Sequence, residues 1–203
     1  MRRCSSIITW SSVSRLLLAC ALSLLAACDG GAPKFKSTDI TGAEFGKTLE
    51  LTGQDGKSRT LPDFRGKVVV LFFGYTHCPD ICPTTLADMA AVMKSLGADA
   101  ARVQVLFVTL DPERDTPEVL SKYVPAFDPT FLGLYGDVAA TQRAAKEFRI
   151  FFERHPGKAP GAYTVDHSAQ CYVFDAQGRL RLLVRHDRIA QDLAEDLRSL
   201  LKS

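Results

Sequence analysis

The sequence predicts an α/β fold with a central mixed β-sheet flanked by helices and an N-terminal β-hairpin, and three observations carry that prediction. Two runs of β-branched and aromatic residues, 67–73 (KVVVLFF) and 103–109 (VQVLFVT), have the continuous apolar character of strands buried on both faces. Between them, Leu86, Met89, Ala90 and Met93 recur at the three- and four-residue spacing of a helix that buries one side. Strand, helix, strand implies a right-handed parallel crossover. Two later apolar runs, 170–174 and 180–184, instead flank the turn Asp175-Ala176-Gln177-Gly178 and read as an antiparallel pair. With 203 residues, 46% of them hydrophobic, the chain has room for one domain with a substantial core.

In chain order, residues 1–27 have the three parts of a secretory signal. Arg2, Arg3 and Arg15 supply positive charge, an apolar run over 16–25 is too short to cross a bilayer as a helix, and small residues follow it. Leu25-Ala26-Ala27-Cys28 resembles the bacterial lipobox, in which the cysteine becomes the diacylated first residue. Cys28 is therefore the expected lipidation site, and two acyl chains suffice for stable anchoring. Residues 28–44, rich in Gly, Pro and polar side chains, read as a tether, and 45–203 as the folded domain. The alternation over 48–52, the turn Gln54-Asp55-Gly56 and the return over 58–61 predict the hairpin. The first core strand follows at 67–73, then a helix from Pro83 to near Gly97, then the strand 103–109. Thr116-Pro117-Glu118 opens a helix reaching about Tyr123, with Pro at the first helical position and an acid in the first turn. A short strand over 131–135, a helix over 138–148, the antiparallel pair and an amphipathic helix over 189–200 complete the chain. That order is the order of a thioredoxin-like α/β fold. No internal repeat is visible.

Removing the signal takes away three basic and no acidic residues, which leaves about one net negative charge. Such a balance gives no basic face for releasing phosphate counterions, so nucleic-acid binding is excluded as a main function. Of six cysteines, Cys4 and Cys20 leave with the signal and Cys28 is committed to lipid, so Cys78, Cys82 and Cys171 remain. Three cysteines in an oxidising compartment do not make a disulfide framework, so the close pair is redox-active or metal-binding. Cys171, within AQCYVF, reads as a small apolar core residue.

The pair lies in Gly74–Leu86, GYTHCPDICPTTL, with Cys78 in the loop leaving a central strand and Cys82 at the first turn of the next helix. Ligands bind at such strand ends in open α/β sheets, and a helix N-terminus favours thiolate over thiol. Residues four apart on a helix have Cα atoms roughly 6 Å apart, which suits a disulfide and also lets two thiolates converge on one ion. Spacing alone leaves redox and metal chemistry open. The PxxxTxxC pattern of peroxide-reducing thiols fails at both cysteines, since Pro79 and Tyr75 precede Cys82, and Tyr75 and Leu71 precede Cys78, at the required offsets. Of four histidines, His77 adjoins Cys78 and points elsewhere, while His155, before Pro156-Gly157, and His186, at a strand end, read as solvated. His167, in YTVDHS, sits in a loop just before the strand with Cys171, where a thioredoxin-like fold brings that loop against the cysteines.

Through CPDICP, DPERDTP (Asp111 to Pro117) and VDHS (Val165 to Ser168), the sequence resembles the Sco/SenC family of copper-binding proteins over about residues 45–200. The resemblance implies that Cys78, Cys82 and His167 bind copper. Soft thiolates select Cu(I), and imidazole serves Cu(I) or Cu(II). It also implies a periplasmic or membrane-attached copper chaperone that helps build the copper A centre of cytochrome c oxidase, a carrier that the Cys28 lipid would anchor facing the periplasm. Its partners would be the copper A subunit, other periplasmic copper carriers or thiol reductases. Asp29 after Cys28 leans the anchor toward the inner membrane. Alternatives are a thiol-disulfide oxidoreductase that reduces the oxidase's copper-ligand cysteines, using Cys78 and Cys82 as a redox pair, and a copper or redox sensor. Asp166 is a candidate to orient the His167 ring by a hydrogen bond or to cap the turn. Asp111, Arg114 and Asp115 form a charged loop that either holds the site or meets a partner.

Overall fold

The computed structural model describes residues 34–202. The expected signal, Cys28 and the start of the tether lie outside the described residues. Among the described residues, ten strands and four α-helices follow in order: β1 (Thr38–Asp39), β2 (Glu50–Gly53), β3 (Ser58–Thr60), β4 (Val68–Gly74), α1 (Ile81–Leu96), β5 (Val103–Thr109), α2 (Pro117–Tyr123), β6 (Leu132–Tyr135), α3 (Val138–Glu147), β7 (Phe152–Pro156), β8 (Tyr163–His167), β9 (Cys171–Phe174), β10 (Leu180–Val184) and α4 (Ala194–Lys202). Eight strands form one mixed sheet in the order β1-β10-β9-β4-β5-β6-β2-β3. Its centre is the predicted crossover, with β4 and β5 parallel over seven residue pairs from Val68↔Val103 to Gly74↔Thr109. β9 runs antiparallel on the other side of β4. The thioredoxin-like α/β architecture is thus as the element order implied.

Every residue of β4 is buried, because helices cover both faces of the sheet. Side chains alternate across a strand. Val68, Val70 and Phe72 pack with Leu86, Met89 and Met93 of α1 and Leu197 and Leu200 of α4. Val69, Leu71 and Phe73 pack on the opposite face with Ala144, Ala145 and Phe148 of the α3 region. This double layer fixes the carboxyl end of β4, from which the cysteine loop departs.

The structure departs from sequence expectation in four places. α1 begins at Ile81 rather than Pro83. Pro83 lies in the first turn, where its missing N–H would have had no intrahelical partner. The segments around His155 and His167, expected as loops, pair as the antiparallel hairpin β7–β8, a separate two-stranded sheet. The tether expected over 28–44 contains structure of its own. Thr38 and Asp39 pair with Leu183 and Leu182, and the N–H groups of Lys36 and Ser37 donate to the Asp196 carboxylate at 2.7 and 2.9 Å. The closing helix is preceded by a π-turn, Ile189–Leu193, and extends to Lys202. No described helix is long and apolar enough to cross a membrane.

Candidate metal centre

β4 ends at Gly74, and a side chain there would collide with the site. A Cβ on Gly74 would lie 2.8 Å from Cys82 Sγ and 2.9 Å from the Phe107 ring. Cys82, in the first turn of α1, is fully buried against that bare backbone, while Cys78 in the preceding loop is half-buried. Asp80 stands at the N-cap without a side-chain capping bond. The Cys82 N–H instead donates to Cys78 Sγ at 3.4 Å, so the sulfur satisfies one of the donors that a helix start leaves unpaired.

His167, the last residue of β8, brings its imidazole to the same place. Its Nε2 lies 3.4 Å from Cys82 Sγ, and the ring packs edge-on against Tyr75. Its Nδ1 lies 2.9 Å from the Ser168 carbonyl, which only accepts, so Nδ1 carries the proton and donates. Nε2 is the ring nitrogen that faces the sulfurs, placed to act as a ligand once it carries no proton. The ligand atoms of Cys78, Cys82 and His167 all lie within 4.8 Å of one another, a grouping able to hold a metal ion. One side opens into a cleft of about 620 Å³ whose lining includes Cys78, Pro79, Ile81, Phe151 and His167.

The two thiols differ sharply. The Cys78 pKa falls to about 5 because the Cys82 S–H is directed at it, and backbone N–H groups of Asp80 and Cys82 and the His167 ring add to the effect against burial. Cys82 moves upward, because it holds its proton toward Cys78 and because it is buried, with the Asp115 carboxylate adding repulsion. Cys171 is buried in the core, as expected, and burial pushes its thiol up. The site therefore presents one anionic sulfur at the opening, one protonated sulfur behind it and an imidazole nitrogen beside them. Such a set suits a soft cation or disulfide exchange.

Asp166 does not orient the His167 ring. Neighbouring residues of a strand point to opposite faces, and Asp166, with its side chain 72% exposed, faces His155 Nε2 at 3.4 Å. The Ser168 carbonyl holds the ring instead. His77 stays outside the cluster, its Nδ1 3.1 Å from Thr76 Oγ1. The charged loop turns inward: Asp111 and Asp115 are fully buried. Asp115 accepts from Thr76 N–H at 3.0 Å, Thr76 Oγ1 at 2.6 Å and Thr109 Oγ1 at 2.6 Å. Asp111 accepts from the Tyr163 hydroxyl at 2.6 Å and from the Arg114 and Arg154 guanidiniums. The sequence alone assigns no role to Thr76, Tyr163, Arg154 or Ser168. An alternation over 152–156 and 163–167 would have revealed the hairpin, but Pro156 and the charged residues obscured it.

The sequence profile of the SCO1/SenC family matches residues 37–202. The chain is 36% identical over 152 residues to the mitochondrial SCO2 homolog of Mus musculus, covering 74% of this chain and 60% of that one. It thus spans about three fifths of that relative's length. The structure of Bradyrhizobium japonicum ScoI with copper bound is similar at 40% identity and a TM-score of 0.70, covering 77% of this chain and 98% of that one. A further neighbour in fold is BsSco, described through a disulfide switch and as a member of the Sco family of cytochrome c oxidase assembly proteins. It has 23% identity, a TM-score of 0.62 and coverage of 83% and 97%.

Proposed function

The chain belongs to the SCO1/SenC family, and on that premise we propose that it is a copper carrier serving assembly of the copper A centre of cytochrome c oxidase. Copper is its cargo, held by Cys78, Cys82 and His167. The observation that carries this reading is the convergence of two sulfurs and the imidazole Nε2 within 4.8 Å at an open cleft. The Cys78 thiolate meets the ion first, Cys82 releases its proton to solvent on binding, and Nε2 completes three ligands. A three-coordinate ion leaves room for a thiol or imidazole of the copper A subunit, so cargo passes by associative ligand exchange. Lipidation of Cys28 would hold the domain at the periplasmic face of the inner membrane, with other copper carriers or thiol reductases as further partners.

The test is a competition titration of the reduced full-length protein with Cu(I), His167→Ala alongside. Tight one-to-one binding by the wild type and a loss of tenfold or more in the variant is expected. Equal weak binding by both would overturn the assignment. Cys28→Ser should release the protein from the membrane fraction.

A second reading, a thiol-disulfide oxidoreductase, is favoured by the acidic Cys78 thiol with Cys82 directly behind it, an attacking and a resolving sulfur. His167→Ala separates the two: disulfide exchange survives the loss of the imidazole, whereas copper retention does not.

A further inference from the structure

The cysteines and the histidine sit on different sheets. Cys78 and Cys82 follow β4 of the main sheet, while His167 ends a hairpin that belongs to a sheet of its own. The short link from His167 to β9 and the packing of its ring on Tyr75 limit their separation, and beyond these one short loop makes contacts outside the strand ladders in both directions. Toward the cysteines, the Asp115 carboxylate binds the Thr76 N–H and hydroxyl, two residues before Cys78. Toward the histidine, the Asp111 carboxylate binds the Tyr163 hydroxyl at the base of β8. Arg114, between them in sequence, lays its guanidinium 3.5 Å from the centroid of the Tyr163 ring and donates to the Tyr163 carbonyl at 3.0 Å.

The backbone of Asp111 is tied to Asp115. The Asp115 N–H donates to the Asp111 carbonyl at 2.9 Å, and the Thr109 hydroxyl accepts from the Asp111 N–H at 2.9 Å while donating to Asp115. Two fully buried carboxylates are a poor source of stability, because desolvation costs several kcal/mol per ion before any partner offsets it. Such groups are better suited to fixing geometry.

Resting on the copper-carrier reading, we propose that Asp115 and Thr76, tied through Asp111 to Tyr163, form a brace that sets the distance between the cysteine pair and His167. Asp115, Thr76 and Tyr163 are positioning residues: none touches the cargo, and each acts through the element that carries a ligand.

The experiment uses the full-length reduced protein with Cu(I) competition titration, together with the thiolate-to-copper absorption and electron paramagnetic resonance spectra of the Cu(II)-loaded form. Thr76→Val removes the hydroxyl and keeps the backbone bond; Tyr163→Phe removes the other anchor. Each should weaken copper binding roughly ten- to one-hundredfold and alter the Cu(II) spectra. Thr76→Ser, which retains the donor, should restore both. The double variant should lose less than the product of the single losses, because a gap already loosened on one side gains little freedom from the other. Thermal unfolding of the copper-free variants guards against mere misfolding. Wild-type affinity and spectra in both single variants would overturn the brace alone. So would losses that track unfolding temperature with unchanged spectra and no rescue by serine. A wild type that fails to bind copper would overturn the carrier reading and the brace with it.

Discussion

A small disulfide probe added to the reduced, copper-free protein between about pH 4 and pH 9 should react first at Cys78, with a pH profile unlike that of an ordinary thiol. The Cys78 pKa falls from 9.0 to about 5, chiefly through the Cys82 S–H. At pH 6 a thiol of pKa about 5 is ~90% ionised and an unstructured one of pKa about 8.5 ~0.3%, a ~290-fold advantage in thiolate. Nucleophilicity falls with pKa along a Brønsted slope of about 0.4–0.5, which takes back roughly 25- to 56-fold. Cys78 should therefore react roughly five- to twelvefold faster than an unstructured cysteine peptide at pH 6. By pH 8 the thiolate advantage has shrunk to ~4-fold, and Cys78 should be roughly six- to thirteenfold slower than the same peptide. Partial shielding scales both rates without moving the inflection. Stopped-flow kinetics with mass mapping of the first adduct reads both quantities. An inflection near pH 8 to 9, or first attack at Cys82, would refute the assigned polarity of the pair.

Gly74→Ala places a methyl 2.8 Å from Cys82 Sγ, so it should cost about 1–3 kcal/mol in denaturant unfolding and weaken copper binding as Cys82 is pushed aside. Asp166→Asn should leave copper affinity within about twofold in a competition titration, since its side chain faces His155; a loss of about tenfold or more would reinstate it as the imidazole's partner. Cys171→Ala should lower stability by roughly 1 kcal/mol without changing copper stoichiometry, because that thiol is walled into the core between β4 and β10.

What the sequence disclosed and what it concealed follow from where the information resides. β4 and β5 were legible because burial on both faces demands uninterrupted apolar residues, and α1 because one buried side demands the helical period. Cys78, Cys82 and His167 were nameable from their motifs. The role of Ser168 was not, because a backbone carbonyl carries no sequence signal. The inward turn of Asp111 and Asp115 was hidden for a related reason: a charged loop reads as solvated unless its partners are known, and those partners, Thr76, Thr109, Tyr163 and Arg154, lie up to 52 residues away. The β7–β8 hairpin was missed because most of its side chains are exposed, leaving no apolar alternation to detect.

The unequal burial of the two sulfurs imposes an order on either chemistry. Cys82 is fully buried and protonated, whereas Cys78 is ionised at the cleft, so an incoming ion or disulfide meets Cys78 first. Once Cys78 shares its charge with an ion or a sulfur, the main influence holding the proton on Cys82 is removed, and Cys82 can follow as second ligand or as resolving nucleophile. The outcomes then exclude each other. A Cys78–Cys82 disulfide consumes both sulfurs as ligands and leaves His167 alone, and a single imidazole cannot retain copper against competing ligands. Under the proposed carrier role, copper loading through this site thus requires the pair to be reduced beforehand, and the redox state of Cys78 and Cys82 would gate the cargo.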